Sequence, residues 1–318
     1  MPSITEAVIK DQFTYLREHL NQDLPELPQG KRVLIGCGTS YYLAQTLAAV
    51  SNMLGQPAVA APSADWMQFP GAHLATTQDA VVIGLSRSGS TTETVAAIKS
   101  SRSQGHPTVA ISCEKDSAII NSADAGIYLP TDPREGIVMT VSASLMLLAG
   151  LRLLGVPIGE VDINAAQSIL EALENSSDIL DPMEHFVFLG GGPLYGIACE
   201  GALKLMEMSI NPAQPFHPME YRHGPVSLIG DRSLVVMLYT FETSSEEVLL
   251  TRELQQKGAR VIGLGGPGDI EIGAASKGGL TDAIRYLPAL QLLGERAAVA
   301  RAIDTETPRH LTKVVILN

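Results

Sequence analysis

Basic side chains are scarce in this sequence, and they do not cluster. The 318 residues include 22 Lys and Arg against 34 Asp and Glu, which gives a formal net charge of −12. Proteins that bind nucleic acids need grouped Lys and Arg to neutralise the phosphate backbone. We therefore expect no nucleic-acid partner. A small anionic substrate is still compatible with this charge, because the donors of one loop can outweigh the overall field at short range.

Cysteine is also rare, and its spacing does not suit a metal centre. Cys37, Cys113 and Cys199 are far apart, and none belongs to a C-x-x-C pair. An odd number of separated cysteines is typical of reduced thiols in the cytoplasm. The N-terminus shows no basic segment followed by an apolar run, the pattern of a signal peptide. We expect a cytoplasmic chain without a metal ion or other cofactor.

Long hydrophobic runs are missing as well. The longest apolar stretch, Ile137–Leu151, is interrupted by Thr140, Ser142 and Ser144. It is shorter than the about 18–20 apolar residues that a membrane-spanning helix needs. We predict a buried helix at this place and no membrane segment.

Aromatic residues make up only 5% of the chain, whereas hydrophobic residues reach 45% and glycines number 29. This composition supplies enough apolar surface for a sizeable core and excludes a disordered chain. Frequent tight turns between strands and helices give such a profile, which is typical of α/β proteins. Short β-branched runs such as Ala80–Leu85 and Thr108–Ile111 alternate with helical patterns such as Thr92–Ser103, as in the βαβ units of a parallel sheet.

The two halves of the chain repeat each other. Val187–Gly192 matches Val33–Gly38, and Leu234–Leu238 matches Val81–Leu85, at an offset of about 153 residues. We therefore predict an α/β protein with two tandem, doubly wound parallel-sheet lobes. The first lobe carries a candidate phosphate loop, and the second carries a candidate catalytic helix and the C-terminal tail. The predicted domains are residues 1–157 and 158–318.

The candidate phosphate loop, Ser86–Thr91, follows a predicted strand and opens a predicted helix. Ligands of open α/β sheets bind at the carboxyl ends of strands, and helix N-termini attract anions. Hydroxyl donors and the close backbone approach that Gly89 allows favour a phosphate monoester, although such a turn can also serve only to cap its helix. The second copy, Tyr239–Ser244, has no glycine, and this asymmetry favours function. The candidate ligands are Ser86, Arg87, Ser88, Gly89, Ser90 and Thr91.

A second strand-to-helix turn, Gly36–Ser40, is placed to lie beside this loop. It is not the G-x-G-x-x-G pattern of dinucleotide sites, because Tyr41 stands at the position of the third glycine. The hydroxyls of this turn can hold a sugar, whereas its cysteine is more typical of a small packing residue than of a nucleophile. The turn adds the candidate binding residues Cys37, Gly38, Thr39 and Ser40.

Three charged residues lie on one face of a predicted helix that is otherwise apolar. Glu200, Lys204 and Glu207 are spaced i, i+4 and i+7, so they form one stripe. A stripe that faces solvent would be an ordinary ion-pair ladder. The apolar flanks indicate a mostly buried helix, where such charges cost desolvation unless they line a cleft. A carboxylate beside a lysine in a cleft is a candidate proton carrier.

The segment after this helix contains His217, Glu220 and His223. Their spacing allows a metal site, but Pro218 and the lack of a zinc-site signature favour a single acid–base histidine, His223. Near the C-terminus, Lys313 precedes an apolar, strand-like run. It is either a solvated lysine at the start of a strand or a desolvated amine that can form a Schiff base with a carbonyl.

Together these motifs resemble the double-SIS (sugar isomerase) family, best known from the isomerase half of glutamine–fructose-6-phosphate aminotransferases. That half carries C-G-T-S, S-Q-S-G-E-T, E-G-A-L-K-L-K-E, E-L-K-H-G-P and a tail like N-L-A-K-S-V-T. The resemblance covers nearly the whole chain, and it implies a flavodoxin-like SIS fold for each lobe. The corresponding segments are Cys37–Ser40, Ser86–Thr91, Glu200–Glu207, Glu220–Pro225 and His310–Lys313.

The resemblance implies a role for each matching residue. Glu207 would move the proton between C1 and C2, and Lys313 would meet the carbonyl carbon. His223 would open the sugar ring from the second subunit of a homodimer, while Glu200 and Lys204 would shape and polarise the site. The residues implied to hold the sugar phosphate are Thr39, Ser40, Ser86, Ser88 and Thr91, with Thr140 as a supporting hydroxyl from the loosely aligned stretch Glu135–Ser142.

The sequence departs from the family pattern at points that bear on the reaction. It shows no glutaminase half, so we do not expect a glutamine-dependent synthase. Arg87 and Ser90 replace Gln and Glu of the family loop, and Ser142 stands at a family lysine. The resemblance implies a phosphorylated amino sugar as substrate and a deaminase/isomerase that converts glucosamine 6-phosphate into fructose 6-phosphate and ammonia. A fructosamine-6-phosphate deglycase and a non-catalytic sugar-phosphate sensor are the alternatives.

Overall fold

The computed structural model describes residues 2–176, 180, 183–274 and 279–316. The chain divides into two compact units. The N-terminal unit consists of Lys10–Glu160 with His310–Asn318, and the C-terminal unit consists of Met1–Ile9 with Val161–Arg309. The C-terminal tail, which we predicted within the second lobe, therefore groups with the first unit, because its hydrogen bonds are made there. The predicted domain boundary at residue 157 itself stays a prediction.

Helices and strands alternate along most of the chain. Those of the first half are α1 (Ile4–His19), β1 (Lys31–Gly36), α2 (Thr39–Met53), β2 (Ala58–Pro62), α3 (Ser63–Gln68), α4 (Pro70–His73), β3 (Ala80–Leu85), α5 (Thr92–Ser103), β4 (Thr108–Ser112), α6 (Ala118–Ser122), β5 (Ala125–Tyr128) and α7 (Val141–Leu153). Those of the second half are α8 (Glu160–Glu174), β6 (His185–Gly190), α9 (Leu194–Ser209), β7 (Ala213–Phe216), α10 (Pro218–Tyr221), β8 (Ser233–Leu238), α11 (Ser244–Gln256), β9 (Arg260–Leu264), β10 (Ile270–Ile272) and α12 (Asp282–Ala300).

The sheet of the N-terminal unit consists of parallel strands in the order β2-β1-β3-β4-β5. β1 lies between β2 and β3, and its Val33 pairs with Val59 on one side and Val82 on the other. All residues of β3 are buried, as expected for a parallel sheet that is covered on both faces. The strand order therefore reverses between β1 and β3.

The sheet of the C-terminal unit repeats this topology. Its parallel strands have the order β7-β6-β8-β9-β10, which is the order of the first sheet moved along the chain. Both ends of β8 lie 153 residues after the ends of β3. The fold prediction is confirmed: the chain has two tandem, doubly wound lobes, each with the flavodoxin-like strand order.

The two cores repeat as well. In each unit, alternate residues of the first and third strands pack against the helix that follows the third strand, α5 or α11. The first core includes Val33, Ile35, Val82, Ile98 and Ala110. The second core includes Val187, Leu189, Val235, Met237 and Leu254. Each lobe thus buries one face of its sheet beneath this helix. In the first lobe, the N-terminus of the helix adjoins the candidate phosphate loop.

The predicted buried helix within Ile137–Leu151 is confirmed, but it begins only at Val141. The carboxylate of Glu135 accepts the N–H groups of Thr140 and Ser142 where this helix starts. In the described ranges, no helix is both long and apolar enough to cross a bilayer. The predicted strand after Lys313 is wrong for 314–316, which pair with neither sheet; Leu317 lies outside the described residues.

Candidate active site

The two predicted binding loops of the N-terminal unit leave neighbouring strands. Gly36–Ser40 connects β1 with α2, and Ser86–Thr91 connects β3 with α5. Because the strand order reverses between β1 and β3, the carboxyl ends of these strands border the crevice where doubly wound sheets bind ligands. Cys37 Sγ lies 3.5 Å from Thr94 Oγ1 on α5. The turn after β1 therefore contacts the first turn of the helix that follows the phosphate loop.

The turn after β1 places its hydroxyls at the start of α2. Gly38 is the N-cap residue and has a φ of 54°. Thr39 and Ser40 are the first residues of the helix and are buried. Cys37 is half-buried and has a free thiol. These positions agree with hydroxyls that face the crevice from the helix N-terminus, where the dipole is positive.

Gly89 determines the shape of the phosphate loop. Its φ is 61°, and a Cβ at this position would lie 2.1 Å from Ser117 Oγ. Glycine is therefore required both for the backbone conformation and for space. The following N–H group, that of Ser90, donates to Ser88 Oγ over 3.3 Å. The loop is thus held in a compact turn by its own polar groups.

Thr91 occupies the N-cap position of α5. Across the described parts of the chain, its side chain makes no capping hydrogen bond to the first turn of the helix; its Oγ1 instead accepts a hydrogen bond from Ser86 Oγ at 3.4 Å. A turn that served only as a cap would place this hydroxyl on the helix. The geometry therefore favours the anion-binding interpretation.

The guanidinium of Arg87, predicted as a phosphate ligand, contacts main-chain oxygens. The side chain is buried and donates to the carbonyls of Gly136 (3.2 Å), Ile137 (2.8 Å) and Lys313 (3.0 Å). The exposed side chain of Lys313 in turn donates from Nζ to the Glu135 carbonyl at 3.4 Å. The structure thus brings together the phosphate loop, the segment before α7 and the C-terminal tail.

Glu135 is a buried carboxylate that the sequence analysis did not select. Its Oε1 accepts the N–H of Thr140 (2.6 Å), the hydroxyl of Thr140 (3.0 Å) and the N–H of Ser142 (2.9 Å). The carboxylate therefore caps α7 at the positive end of the helix dipole. The hydroxyl of Thr140, predicted to support the substrate, donates to this cap. Glu135 precedes the N-cap residue instead of standing at N3, where a capping box has its Glu or Gln, so no local signal marked it.

The charged stripe on α9 is buried rather than solvated. The side chains of Glu200 and Lys204 are 0% exposed, and that of Glu207 is 21% exposed. Lys204 Nζ lies 3.4 Å from Glu200 Oε1 and 2.5 Å from Glu207 Oε2. The stripe is therefore no solvated ion-pair ladder, and only Glu207 of the three has a side chain in reach of solvent.

Helix α12 approaches the backbone of α9 closely at Lys204, whose side chain is buried. Gly294 on α12 lies so near α9 that a Cβ there would be 3.0 Å from the Lys204 carbonyl oxygen. Burial lowers the pKa of Lys204, but the charges of Glu200 and Glu207 and their hydrogen bonds outweigh this effect. The pKa is therefore raised above its ordinary 10.5, and the lysine is charged at neutral pH.

His223 is exposed and follows α10. Its N–H donates to the carbonyl of Glu220 at 3.0 Å, and Gly224 continues the turn with a φ of 121°. The ring of His217 stacks on Tyr195, with centroids 4.0 Å apart. The described residues contain no group of three His, Cys, Asp or Glu that could hold a metal ion. An aromatic contact, rather than a ligand set, thus accounts for His217.

The second lobe fills the equivalent position with a carboxylate of its own. Glu247 on α11 follows Thr94 by the repeat offset and is fully buried. Its Oε2 accepts the Thr240 N–H (2.9 Å), and its Oε1 accepts the hydroxyls of Thr240 (3.0 Å) and Thr243 (2.9 Å). Burial raises the pKa of Glu247 despite these bonds. An internal acid thus takes the donors of this loop, which accounts for the asymmetry between the copies.

The model of the SIS domain family matches residues 27–154 and 179–276, one segment in each half. The chain therefore belongs to the SIS domain family, and the resemblance drawn from the motifs is confirmed. The first matched segment contains strands β1–β5, and the second contains strands β6–β10. The repeat in the sequence is thus a repeat of the SIS domain.

Among curated proteins, the chain is similar to glutamine–fructose-6-phosphate aminotransferases. It is 26% identical over 317 residues to that of Pseudomonas aeruginosa, covering 89% of this chain and 51% of the relative. The match with the Methanosarcina mazei protein is 29% over 340 residues and covers 95% and 53%. The chain thus spans about half the length of the curated relatives it matches.

Solved structures are similar over the whole chain. Glucosamine-6-phosphate deaminase from Thermotoga maritima superimposes with a TM-score of 0.84 at 28% identity, covering 99% of this chain and 100% of that one. Tagatose-6-phosphate ketose/aldose isomerase from Escherichia coli gives a TM-score of 0.82 at 24% identity, covering 99% and 96%. The second likeness shows the shared fold.

Proposed function

We propose that this chain is an amino-sugar-phosphate deaminase/isomerase that converts glucosamine 6-phosphate into fructose 6-phosphate and ammonia. The proposal is carried by the array on α9, in which the buried ammonium of Lys204 holds the partly accessible carboxylate of Glu207. A positioned carboxylate of this kind suits proton transfer between adjacent carbons. The full-length likeness to the Thermotoga maritima deaminase supports amine release as the outcome.

In the proposed reaction, the loop Ser86–Thr91 binds the phosphate and His223 opens the sugar ring. Glu207 removes the proton from C2 of the aldehyde form and delivers it to C1, while O1 gains a proton and the nitrogen loses one. The product is an imine at C2 with a hydroxymethyl group at C1. Water adds to C2, ammonia leaves, and a ketone remains, so one water is consumed. Lys313 meets the carbonyl carbon, as the family resemblance implies.

Ammonia release from a substrate panel tests this function. We expect ammonia from glucosamine 6-phosphate or galactosamine 6-phosphate, and none from either with Glu207→Gln, which removes the proton carrier but preserves side-chain volume. The variant should still bind inorganic phosphate. Amine release from fructoselysine 6-phosphate alone would identify a deglycase. Silence on all three substrates, with sugar phosphate still raising the melting temperature, would indicate a sensor.

We also propose that the enzyme is a homodimer in which His223 acts on the substrate of the partner subunit. The exposed position of His223 supports this role. Glu207→Gln and His223→Ala proteins, each inactive alone, should regain about a quarter of wild-type activity when mixed, since half of the dimers are mixed and each has one intact site. No recovery, although pull-down through a tag on one variant shows exchange of subunits, would place His223 in its own subunit's site.

A further inference from the structure

We propose that Arg87 is a positioning residue that couples the phosphate loop to the tail carrying Lys313, and that it is not a ligand of the phosphate. The side chain lies within the N-terminal unit together with both partners. The coupling itself does not depend on the reaction. Only the effect on turnover rests on the proposed function.

The guanidinium joins two segments that are distant in the chain. Its Nη2 donates to Ile137 O at 2.8 Å and to Lys313 O at 3.0 Å, and its Nη1 donates to Gly136 O at 3.2 Å. Lys313 lies 226 residues from Arg87 in sequence. The planar, multi-donor fork of arginine can bind several oxygens in a fixed geometry, which a single ammonium or amide cannot do. The side chain therefore ties the tail to the loop.

The described end of the tail is largely exposed. Val315 and Ile316 are 53% and 67% exposed, so little apolar burial holds them. The Lys313 amine donates to the Glu135 carbonyl, which adjoins the segment that Arg87 binds. A bond from a charged donor to the Lys313 carbonyl is therefore a substantial part of what orients this lysine.

The position of Arg87 within the loop allows ligand binding at the loop to affect the tail. Its neighbour Ser88 contributes its hydroxyl to the turn, whereas the Arg87 side chain is buried away from solvent. Phosphate that orders the loop would thereby order the Lys313 backbone. The family motif has glutamine at this position, and its amide offers fewer donors, so the arrangement is a feature of this chain's sequence.

Trypsin cleavage after Lys313 reports on this bond directly. The carbonyl that trypsin attacks at Lys313–Val314 is the oxygen that accepts the Arg87 hydrogen bond. Cleavage therefore requires that bond to open. We expect Arg87→Gln to be cut there about tenfold faster than wild type, because charge-assisted bonds are lost. Inorganic phosphate should slow the cut in wild type but not in Arg87→Gln.

Four further measurements separate coupling from phosphate binding and from unfolding. Ser88→Ala, in the same loop, should weaken inorganic phosphate binding but leave the cut after Lys313 at the wild-type rate. Arg87→Gln should bind inorganic phosphate within about threefold of wild type. Arg87→Lys should be cut at an intermediate rate, since lysine keeps the charge but lacks the rigid planar fork of arginine. Cleavage after the exposed Lys257 in the other unit monitors general unfolding.

Turnover gives the functional readout. With glucosamine 6-phosphate or whichever substrate is active, Arg87→Gln should lower kcat about tenfold or more with KM within about threefold. A wild-type rate of cleavage after Lys313 in Arg87→Gln would overturn the proposal. So would a large loss of phosphate binding in Arg87→Gln that Arg87→Lys restores, since that result would make Arg87 a charge ligand. If no substrate turns over, the proteolysis and phosphate measurements still decide the coupling.

Discussion

Lys204 shows how a single residue can hold two acids inside a packed helix pair. Its ammonium contacts both Glu200 and Glu207, and neither Lys204 nor Glu200 reaches solvent. Burial of these charges costs desolvation energy, and the attraction between Lys204 and the two carboxylates offsets that cost. The arrangement is therefore stable only while all three side chains are present. Removing Lys204 alone should therefore lower the free energy of unfolding strongly, whereas removing Lys204 together with a carboxylate should lower it less.

We expect Lys204→Met to lower the free energy of unfolding by about 3–5 kcal/mol, because it leaves a buried carboxylate without its cation. Urea denaturation at neutral pH measures this loss. Adding Glu200→Gln to the variant should recover part of the stability, since the second change removes the stranded charge. Additive losses in the double variant would show that the two side chains do not interact energetically.

Gly89→Ala should damage both the loop and its ligand site. A φ of 61° costs a non-glycine residue about 1–2 kcal/mol, and the added Cβ would also collide with Ser117. We expect weaker binding of inorganic phosphate by about tenfold or more, measured by calorimetry. Gly105→Ala is the matched control, because Gly105 has a φ of 84° with no atom within 4 Å of a Cβ. Equal effects of the two changes on phosphate binding would contradict a steric requirement in the loop.

At the scale of elements, helices α5 and α11 occupy equivalent positions in the two lobes, but the loops that precede them differ in their hydrogen bonds. The loop before α5 contains Gly89 and carries Ser88 and Thr91, whereas the loop before α11 gives its donors to Glu247. The buried carboxyl group of Glu247 accepts these hydrogen bonds at the N-terminus of α11. The second lobe is therefore stabilised without a ligand.

The raised pKa of Glu247 predicts that the stability of the protein changes with pH in a defined direction. Its pKa is raised above the ordinary 4.5 by burial, so the folded state binds this proton more tightly than the unfolded state. Stability contributed by the neutral form therefore falls as pH rises from about 4.5 through the folded pKa. Urea unfolding of wild type and Glu247→Gln between about pH 4 and pH 8 should show this slope only in wild type. A Gln amide keeps an acceptor for the Thr240 N–H, so the variant should fold; parallel curves would refute the assignment.

At the scale of the molecule, the C-terminal tail supplies a residue to the unit formed by the first half of the chain. Most of its described side chains are exposed, and exposed termini with little burial add little to stability. The scaffold of two sheets is complete without it. We therefore expect the tail to matter for the position of Lys313 rather than for folding.

Removal of residues 310–318 should therefore separate function from stability. We expect the melting temperature to stay within about 3 °C of wild type and inorganic phosphate to bind within about threefold of wild type, while turnover is lost with Lys313. Full-length Lys313→Ala is the matched control and should lose turnover to the same extent. A truncated protein that loses phosphate binding or melts far below the control would show that the tail supports the loop itself.

Much of this architecture is predictable from periodicity. The repeat offset found in the sequence is the offset between β3 and β8 in the structure, and the spacing of Glu200, Lys204 and Glu207 predicts their common helix face. The family motifs predict the SIS fold. The wrong prediction of a strand after Lys313 has a simple cause: an apolar run becomes a strand only where a neighbouring strand offers hydrogen bonds.

By itself, the sequence determined two doubly wound lobes, the loop at the reversal of strand order and the charged face of α9, because periodicity and turn residues are local properties. Only the tertiary structure decided which hydrogen-bond partners the buried polar groups have. Arg87 donates to the Lys313 carbonyl, Glu135 accepts from the start of α7, and Glu247 accepts from its own loop. Buried donors and acceptors must find partners. Which partners they find depends on segments that packing brings together from distant parts of the chain, and no local pattern records that choice.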